Sequence, residues 1–205
     1  MKKMIKAQTR TKPLREGELH VAIAGAGATG IELAAELYDA THQMMVYGFD
    51  QIEPDKDIKI TIIEASNTIL PALPDHLSNA TLAELKKLNI DVMPNERVIE
   101  ATDKGFITES GKFISAEITA WAAGIKAPDF LAKMEGLETN KTNQLMVRSI
   151  LQTTNDNNIF AFGDCASCPI PEKQGNVTGY VPPRAQAAHQ QASLLVKAMK
   201  NRLEK

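Results

Sequence analysis

The sequence contains two cysteines, Cys165 and Cys168. That scarcity excludes a disulfide framework and a four-cysteine zinc site, and no metal-ligand set is expected. No run approaches the roughly 18 apolar residues of a membrane helix, and the N-terminus lacks the apolar core of a signal peptide. A soluble, cytoplasmic chain is the expectation. Charge excess is also missing: the formal net charge is -2, so nothing attracts nucleic acid in bulk. The one basic block, Lys2, Lys3, Lys6, Arg10, Lys12 and Arg15, contains no acid and reads as a solvated leader. There is no internal repeat and no low-complexity segment. What is present is 205 residues of 43% hydrophobic content, enough for one large domain or two small ones.

The apolar run His20 to Ala24 ends in glycines, as a buried parallel strand does. A helix should follow, with Ile31, Leu33, Ala34, Ala35 and Leu37 on its packed face, ending near Asp39 to Thr41. His42 to Asp57, broken by Gly48 and Pro54, reads as an irregular insertion. Ile58 to Glu64 is a second strand closed by an acid, Asn67 to His76 a loop, and Leu77, Leu82, Leu85 and Leu88 mark a helix. Ile90 to Met93 is a third strand. Val98 to Glu117 holds three short runs with a turn at Ser110-Gly111, an antiparallel meander, before a buried strand at Ile118 to Ala122. Beyond Lys126 come a short helix (Pro128 to Met134), a strand pair within Gln144 to Thr153 and a strand at Asn158 to Phe162. A loop follows through Pro169, Pro171 and Gly175. A final helix is expected to open at Pro182 and Pro183, where the first turn has no amide bond to lose.

Gly25-Ala26-Gly27-Ala28-Thr29-Gly30 stands between strand and helix, the setting in which this glycine pattern binds a dinucleotide. The first glycine permits the tight turn, the second lets backbone approach a pyrophosphate, and the third packs helix on strand. The helix N-terminus attracts the phosphates through its free amides and dipole. Glu64 could accept the ribose hydroxyls of NADH and would repel a 2'-phosphate. It stands 34 residues after Gly30, more than the usual interval of about 20, and the insertion accounts for the excess. The bland alternative is a turn that only packs strand on helix.

Five blocks, GAGATGIELAAEL (25 to 37), TIIEASNTILPALP (61 to 74), WAAGIKAPDF (121 to 130), FGDCA (162 to 166) and PPRAQAAHQ (182 to 190), resemble the type II NADH:quinone oxidoreductases in the same order. The resemblance covers about residues 18 to 197. It implies an α/β fold in which a Rossmann-like nicotinamide domain, a parallel sheet with helices and a β-meander, is followed by the returning part of a flavin domain. The expected boundaries are a leader at 1–17, the NAD(H) domain at 18–125 and the partial FAD domain with its C-terminal helix at 126–205.

By position, the resemblance puts Glu32 beside the nicotinamide, where hydride passes to the flavin; otherwise Glu32 is a first-turn glutamate favoured by the helix dipole. Ala123 and Gly124 become backbone neighbours of the nicotinamide ribose. Gly163, Asp164 and Ala185 are implied to contact FAD. Gln186 and Gln190, four apart on one helical face, are implied to bond a quinone carbonyl, although such a pair also suits a solvated surface. Cys165-x-x-Cys168 opens a flavin-linked disulfide reductase reading. That reading needs a lowered thiol pKa, and Pro169 and Pro171 argue for a plain loop.

The sequence holds no second glycine pattern for the ADP half of FAD, and too few residues precede Val21 for a βαβ unit of about 30 residues. The expectation is a fragment that lacks the N-terminal flavin-binding half and the C-terminal membrane-anchoring region, holds NADH weakly and carries little or no FAD. The expected partners are a quinone, the missing flavin half and, in one assembly left open, a second copy. The intact enzyme would lie peripherally on the inner face of the cell membrane, which the chain reaches only through regions absent here. A nucleotide sensor without turnover is the other class of reading that shares the glycine turn and Glu64.

Overall fold

The computed structural model describes residues 15–47, 52–171 and 177–204. The basic positions from Lys2 to Lys12, Gly48 and Gly175 lie outside them. The chain divides into two compact units, one ending at Gly124 and the other starting at Ile125.

In the first unit, strand β1 (His20–Ala24) leads into helix α1 (Ala28–Met44). A short helix α2 (Pro54–Asp57), strand β2 (Lys59–Ile63), helix α3 (Asp75–Lys87) and strand β3 (Asp91–Met93) follow. Strands β4 (Val98–Thr102), β5 (Gly105–Thr108) and β6 (Phe113–Ser115) form an antiparallel meander, and β7 (Ile118–Trp121) returns. The parallel sheet has the order β3-β2-β1-β7. Because side chains alternate across a strand, β1 serves two cores. Val21 and Ile23 join Ile60 and Ile62 in one cluster, with Ile31, Leu33 and Leu37 of α1 packed against it. Ala22 and Ala24 join Ile63, Phe106 and Ile114 in another, towards the meander. The small alanines leave room for Phe106, which is 1% exposed. Ile23 and Ile62 are fully buried; each contributes about 1.5–3 kcal/mol through burial.

Several sequence expectations need correction. His42 to Asp57 is largely helical where described. Helix α1 runs on to Met44, a 3-10 turn spans Met45–Tyr47, and α2 follows. The segment has its own apolar cluster, in which Met44, Met45 and Ile58 pack on Leu19 and Ile52. Strand β7 is not buried: among the described residues it is an edge, with Ile118 and Trp121 about half exposed.

The second unit contains little regular structure before its last helix. Pro128 to Met134 is reduced to a 3-10 turn at Leu131–Lys133. The expected strand pair is a two-residue β8 (Leu145–Met146), which pairs in parallel with β9 (Ala166–Ser167). Asn158 to Phe162 forms a single bridge, Phe160 to Gln152, rather than a strand. Where described, the proline loop is instead an antiparallel pair of strands, β10 (Pro169–Pro171) and β11 (Val177–Tyr180). Two prolines are tolerated there because a two-stranded ribbon has free edges that need no amide. Helix α4 (Ala185–Leu203) starts after Arg184, so Pro182 and Pro183 precede the helix rather than open it. Leu145, Val147, Leu151 and Ala161 form the unit's core. No helix among the described residues is long and apolar enough to cross a membrane.

His20, at the start of β1, is buried on the meander side. A carbonyl can only accept, so Nδ1–H donates to the Ser115 oxygen at 2.5 Å, and the Thr61 hydroxyl donates to Nε2 at 2.9 Å. Burial holds the imidazole below its ordinary value of 6.5, Lys59 acts the same way, and the Ser115 carbonyl and Asp91 oppose. The folded state therefore prefers the neutral ring. Its contribution is complete above the ordinary imidazole value and is lost as pH falls through that value towards the lower folded one. The urea midpoint of this unit, followed by Trp121 fluorescence, should decline as pH falls from about 7 to about 5. In a His20→Phe variant that decline should flatten. Neutral-pH stability should drop by about 1–3 kcal/mol, because the Ser115 carbonyl and Thr61 hydroxyl lose their partner.

Candidate functional site

The glycine turn is built by three different constraints. Gly25 has φ +105°, and a Cβ there would lie 2.6 Å from the backbone of Ala122 and Ala123. At Gly30, a Cβ would sit 2.0 Å from the Gly25 carbonyl oxygen, so α1 can lie this close to β1 only without a side chain. Gly27 differs from both. Its φ of -74° suits any residue, and a Cβ would meet nothing within 4 Å. The absent side chain at Gly27 thus leaves open space over the start of α1. That helix has no side-chain cap, so its first amides and the positive end of its dipole face outward at Ala28 and Thr29, both exposed.

Glu64 follows β2 directly. Its amide donates to Met93 O at 2.9 Å and its carbonyl accepts from Glu96 at 2.8 Å, which fixes the backbone. Its half-buried carboxylate accepts the Ala26 amide at 2.7 Å on Oε2 and the Ser66 amide at 2.8 Å on Oε1. The acid therefore ties the end of β2 to the glycine turn, a link the sequence did not reveal. A carboxylate can accept about four hydrogen bonds, so both oxygens keep capacity for hydroxyl donors.

These groups open onto one cleft of about 400 Å³, whose wall includes Gly25, Gly27, Glu64, Trp121, Ala123 and Gly124. It lies at the carboxyl ends of β1, β2 and β7, where the strand order reverses, the usual ligand position in open α/β sheets. A larger cavity of about 530 Å³ lies at the amino ends of β1, β2 and β3, beside His20, Lys59 and Asp91. Its lining includes Gly17 in the turn before β1, but no strand-to-helix glycine turn and no helix N-terminus. The first cleft therefore fits a dinucleotide: open backbone for phosphate, dipole for its charge, and an anchored acid for ribose.

Two charged residues of the cleft were not anticipated, Glu96 and Arg97. Glu96 is buried, accepts from the Ser110 hydroxyl at 2.7 Å and pairs with Lys112. The Lys112 bond, with Ser110, holds its carboxyl down to about 2. Its neighbour Arg97 also lines the cleft and stays exposed, 3.6 Å from Glu109. An acid followed by a base at the mouth of a meander was the available signal, and it is a weak one. Glu32 is exposed in the second turn of α1, not the first-turn glutamate expected, because the helix starts only at Ala28 and its first turn holds no acid; Glu32 is not among the residues that line the cleft.

In the second unit, Gly163 and Asp164 lie in a 3-10 turn, with Gly163 at φ +70°. The turn is held by Gln191 of α4, whose buried side-chain oxygen accepts the Gly163 amide at 2.7 Å. The Asp164 carbonyl accepts from Gln144 at 3.0 Å, leaving the Asp164 side chain exposed. Sequence reading singled out Gln186 and Gln190, both exposed, and passed over their neighbour. The signal was there: Gln191 is a polar residue on the stripe of Ala187, Ala188 and Leu195. Ala185 is exposed at the first helical position. Cys168 is buried, and burial pushes its thiol up despite a hydrogen bond from Gln191. That shift opposes the thiolate a dithiol mechanism needs.

The three glycines separate fold from ligand. Gly30→Ala should destabilise the first unit by about 3 kcal/mol, because backbone must move to admit the methyl. Gly27→Ala should leave the melting temperature unchanged or slightly higher, yet weaken nucleotide binding by about tenfold or more. Parallel melting curves and calorimetric titrations of both variants read the two effects separately.

The chain matches the family of pyridine nucleotide-disulphide oxidoreductases over residues 2–192. It is 43% identical over 188 residues to the type II NADH:quinone oxidoreductase of Haemophilus influenzae, covering 92% of this chain and 41% of that protein. The type II NADH:quinone oxidoreductase of Staphylococcus aureus is 28% identical over 195 residues, 93% of this chain and 46% of the relative. Among solved structures, NDH2 from Plasmodium falciparum in complex with NADH superposes with a TM-score of 0.65 at 29% identity, over 82% of this chain and 36% of that one. The chain thus spans less than half the length of the curated relatives it matches. With the matched span running through the glycine turn and into the start of helix α4, the chain belongs to the pyridine nucleotide-disulphide oxidoreductase family.

Proposed function

We propose that this chain is the NADH-binding and flavin-contacting portion of an NADH:quinone oxidoreductase. The observation that carries the reading is the open backbone at Gly27 facing a cleft whose acid, Glu64, is already fixed by two backbone amides. In this reading the pyrophosphate lies over Gly27, Ala28 and Thr29, and Glu64 accepts hydroxyls of the adenosine ribose. Ala123 and Gly124 offer backbone to the far ribose. Glu32, near the start of α1, orients the dihydronicotinamide.

Gly163, Asp164 and Ala185 are proposed to meet the flavin, and the bond from Gly163 to Gln191 supports a turn fixed well enough for that task. A bound flavin would supply the two-electron chemistry between dihydronicotinamide and quinone; the protein orients and excludes water. Gln186 and Gln190 lie one helical turn apart and exposed, so their amides could donate to a quinone carbonyl. The described residues contain one strand, glycine turn and helix unit, used here for NADH, so firm FAD binding is proposed to need sequence beyond this chain. The named relatives support NADH and quinone as substrates, and a peripheral membrane position belongs to the same proposal.

Calorimetric titration tests the nucleotide assignment. NADH should bind and NADPH should bind at least about tenfold more weakly, because a 2'-phosphate would meet the Glu64 carboxylate. Glu64→Gln should narrow that gap, since it removes the negative charge while keeping one acceptor. Equal affinity for the two nucleotides in the wild type, or no binding of either, would overturn the assignment.

A further inference from the structure

We propose that the indole of Trp121 is the wall against which the nicotinamide half of the dinucleotide lies, and that it holds the oxidised ring more tightly than the reduced one. The inference rests on the NADH reading above and adds to it a residue and a preference between redox forms.

Trp121 is the only tryptophan of the chain, and it is 59% exposed. So large an apolar surface left in water at the end of an edge strand is a cost that a ligand would remove. Register places Trp121 beside Ala24, on the meander side of the sheet. There its ring meets Phe106 edge-on, with centroids 6.4 Å apart and planes at 74°. Phe106 is fully packed, so the indole is braced from within while much of its surface stays open.

Trp121 and Glu64 flank the glycine turn. β2 and β7 are the two neighbours of β1, and both residues line the same cleft. A dinucleotide with its adenosine ribose on Glu64 and its pyrophosphate over Gly27 leaves the turn on the β7 side. Ala122, Ala123 and Gly124 carry little side chain there, so the indole is the large aromatic surface available to it. Oxidised nicotinamide is a cationic pyridinium, and reduced nicotinamide is neutral. The negative face of an indole attracts a cation, so the preference follows from the ring's charge.

The test is calorimetric titration of the whole 205-residue chain with NAD+, NADH and ADP-ribose, which lacks the nicotinamide. In Trp121→Ala, NAD+ affinity should fall about tenfold, NADH affinity about threefold, and ADP-ribose affinity should stay within about twofold. Trp121→Phe should lose less than alanine on NAD+ while matching the wild-type melting curve. An equal loss on all three ligands would overturn the nicotinamide assignment, and an equal loss on NAD+ and NADH would overturn the redox preference. ADP-ribose bound normally, with no effect of the substitutions on either dinucleotide, defeats this proposal alone. Failure of the wild type to bind any of the three defeats the NADH reading, and this proposal with it.

Discussion

The approach of α1 to β1 at Gly30 is the constraint on which the first unit depends. A methyl at Gly30 would stand 2.0 Å from the Gly25 carbonyl oxygen, inside any allowed contact. Because the helix starts there, its first amides sit directly above the carboxyl end of the central strand. The same proximity aims the packed face of α1 at Val21, Ile23, Ile60 and Ile62, so one hydrogen atom sets both the core and the cleft. Gly27 adds nothing to that packing, which is why its open side is informative about a ligand.

Glu64 extends the constraint sideways. Its carboxylate bonds the Ala26 and Ser66 amides, coupling the glycine turn to the segment that follows β2. Leu70 N–H donates to the Ala26 carbonyl at 2.9 Å, so the same residue is held from both of its backbone groups. A site assembled this way is fixed before any nucleotide arrives, and ordering costs on binding are correspondingly small.

Much of the first unit was legible in the sequence because its signals are local. The run His20 to Ala24, the glycine pattern and the acid at Glu64 each follow from backbone chemistry within a few residues. The edge position of β7 was not legible, since an apolar run at Ile118 to Trp121 looks the same whether one face or two are covered. In the second unit, elements of two or three residues depend on distant partners: Leu145 pairs with Ala166, and Pro169 with Tyr180. No local pattern encodes such contacts. The prolines misled for the same reason, because a free ribbon edge accepts them where a sheet interior would not. Gln191 shows the opposite failure. Its position on an apolar stripe was readable, but the family pattern drew the eye to Gln186 and Gln190.

The electrostatics of the cleft look inconsistent at first, since two acids, Glu64 and Glu96, stand where a dianionic pyrophosphate is proposed. The structure resolves this by occupying each charge differently. Glu96 is ionised, with its carboxyl held near 2, but Lys112 and Ser110 take its oxygens, so the pair is close to neutral from outside. Glu64 spends part of its charge on two amides, one of them in the turn itself. The helix terminus contributes roughly half a positive charge at the phosphate position, while Arg97 at the cleft wall is paired with Glu109 at 3.6 Å and adds little net charge. What remains is a gradient along the cleft, negative at Glu64 and positive over Gly27. A ribose with two hydroxyls matches the first end and a pyrophosphate the second; a 2'-phosphate would place its charge at the wrong one.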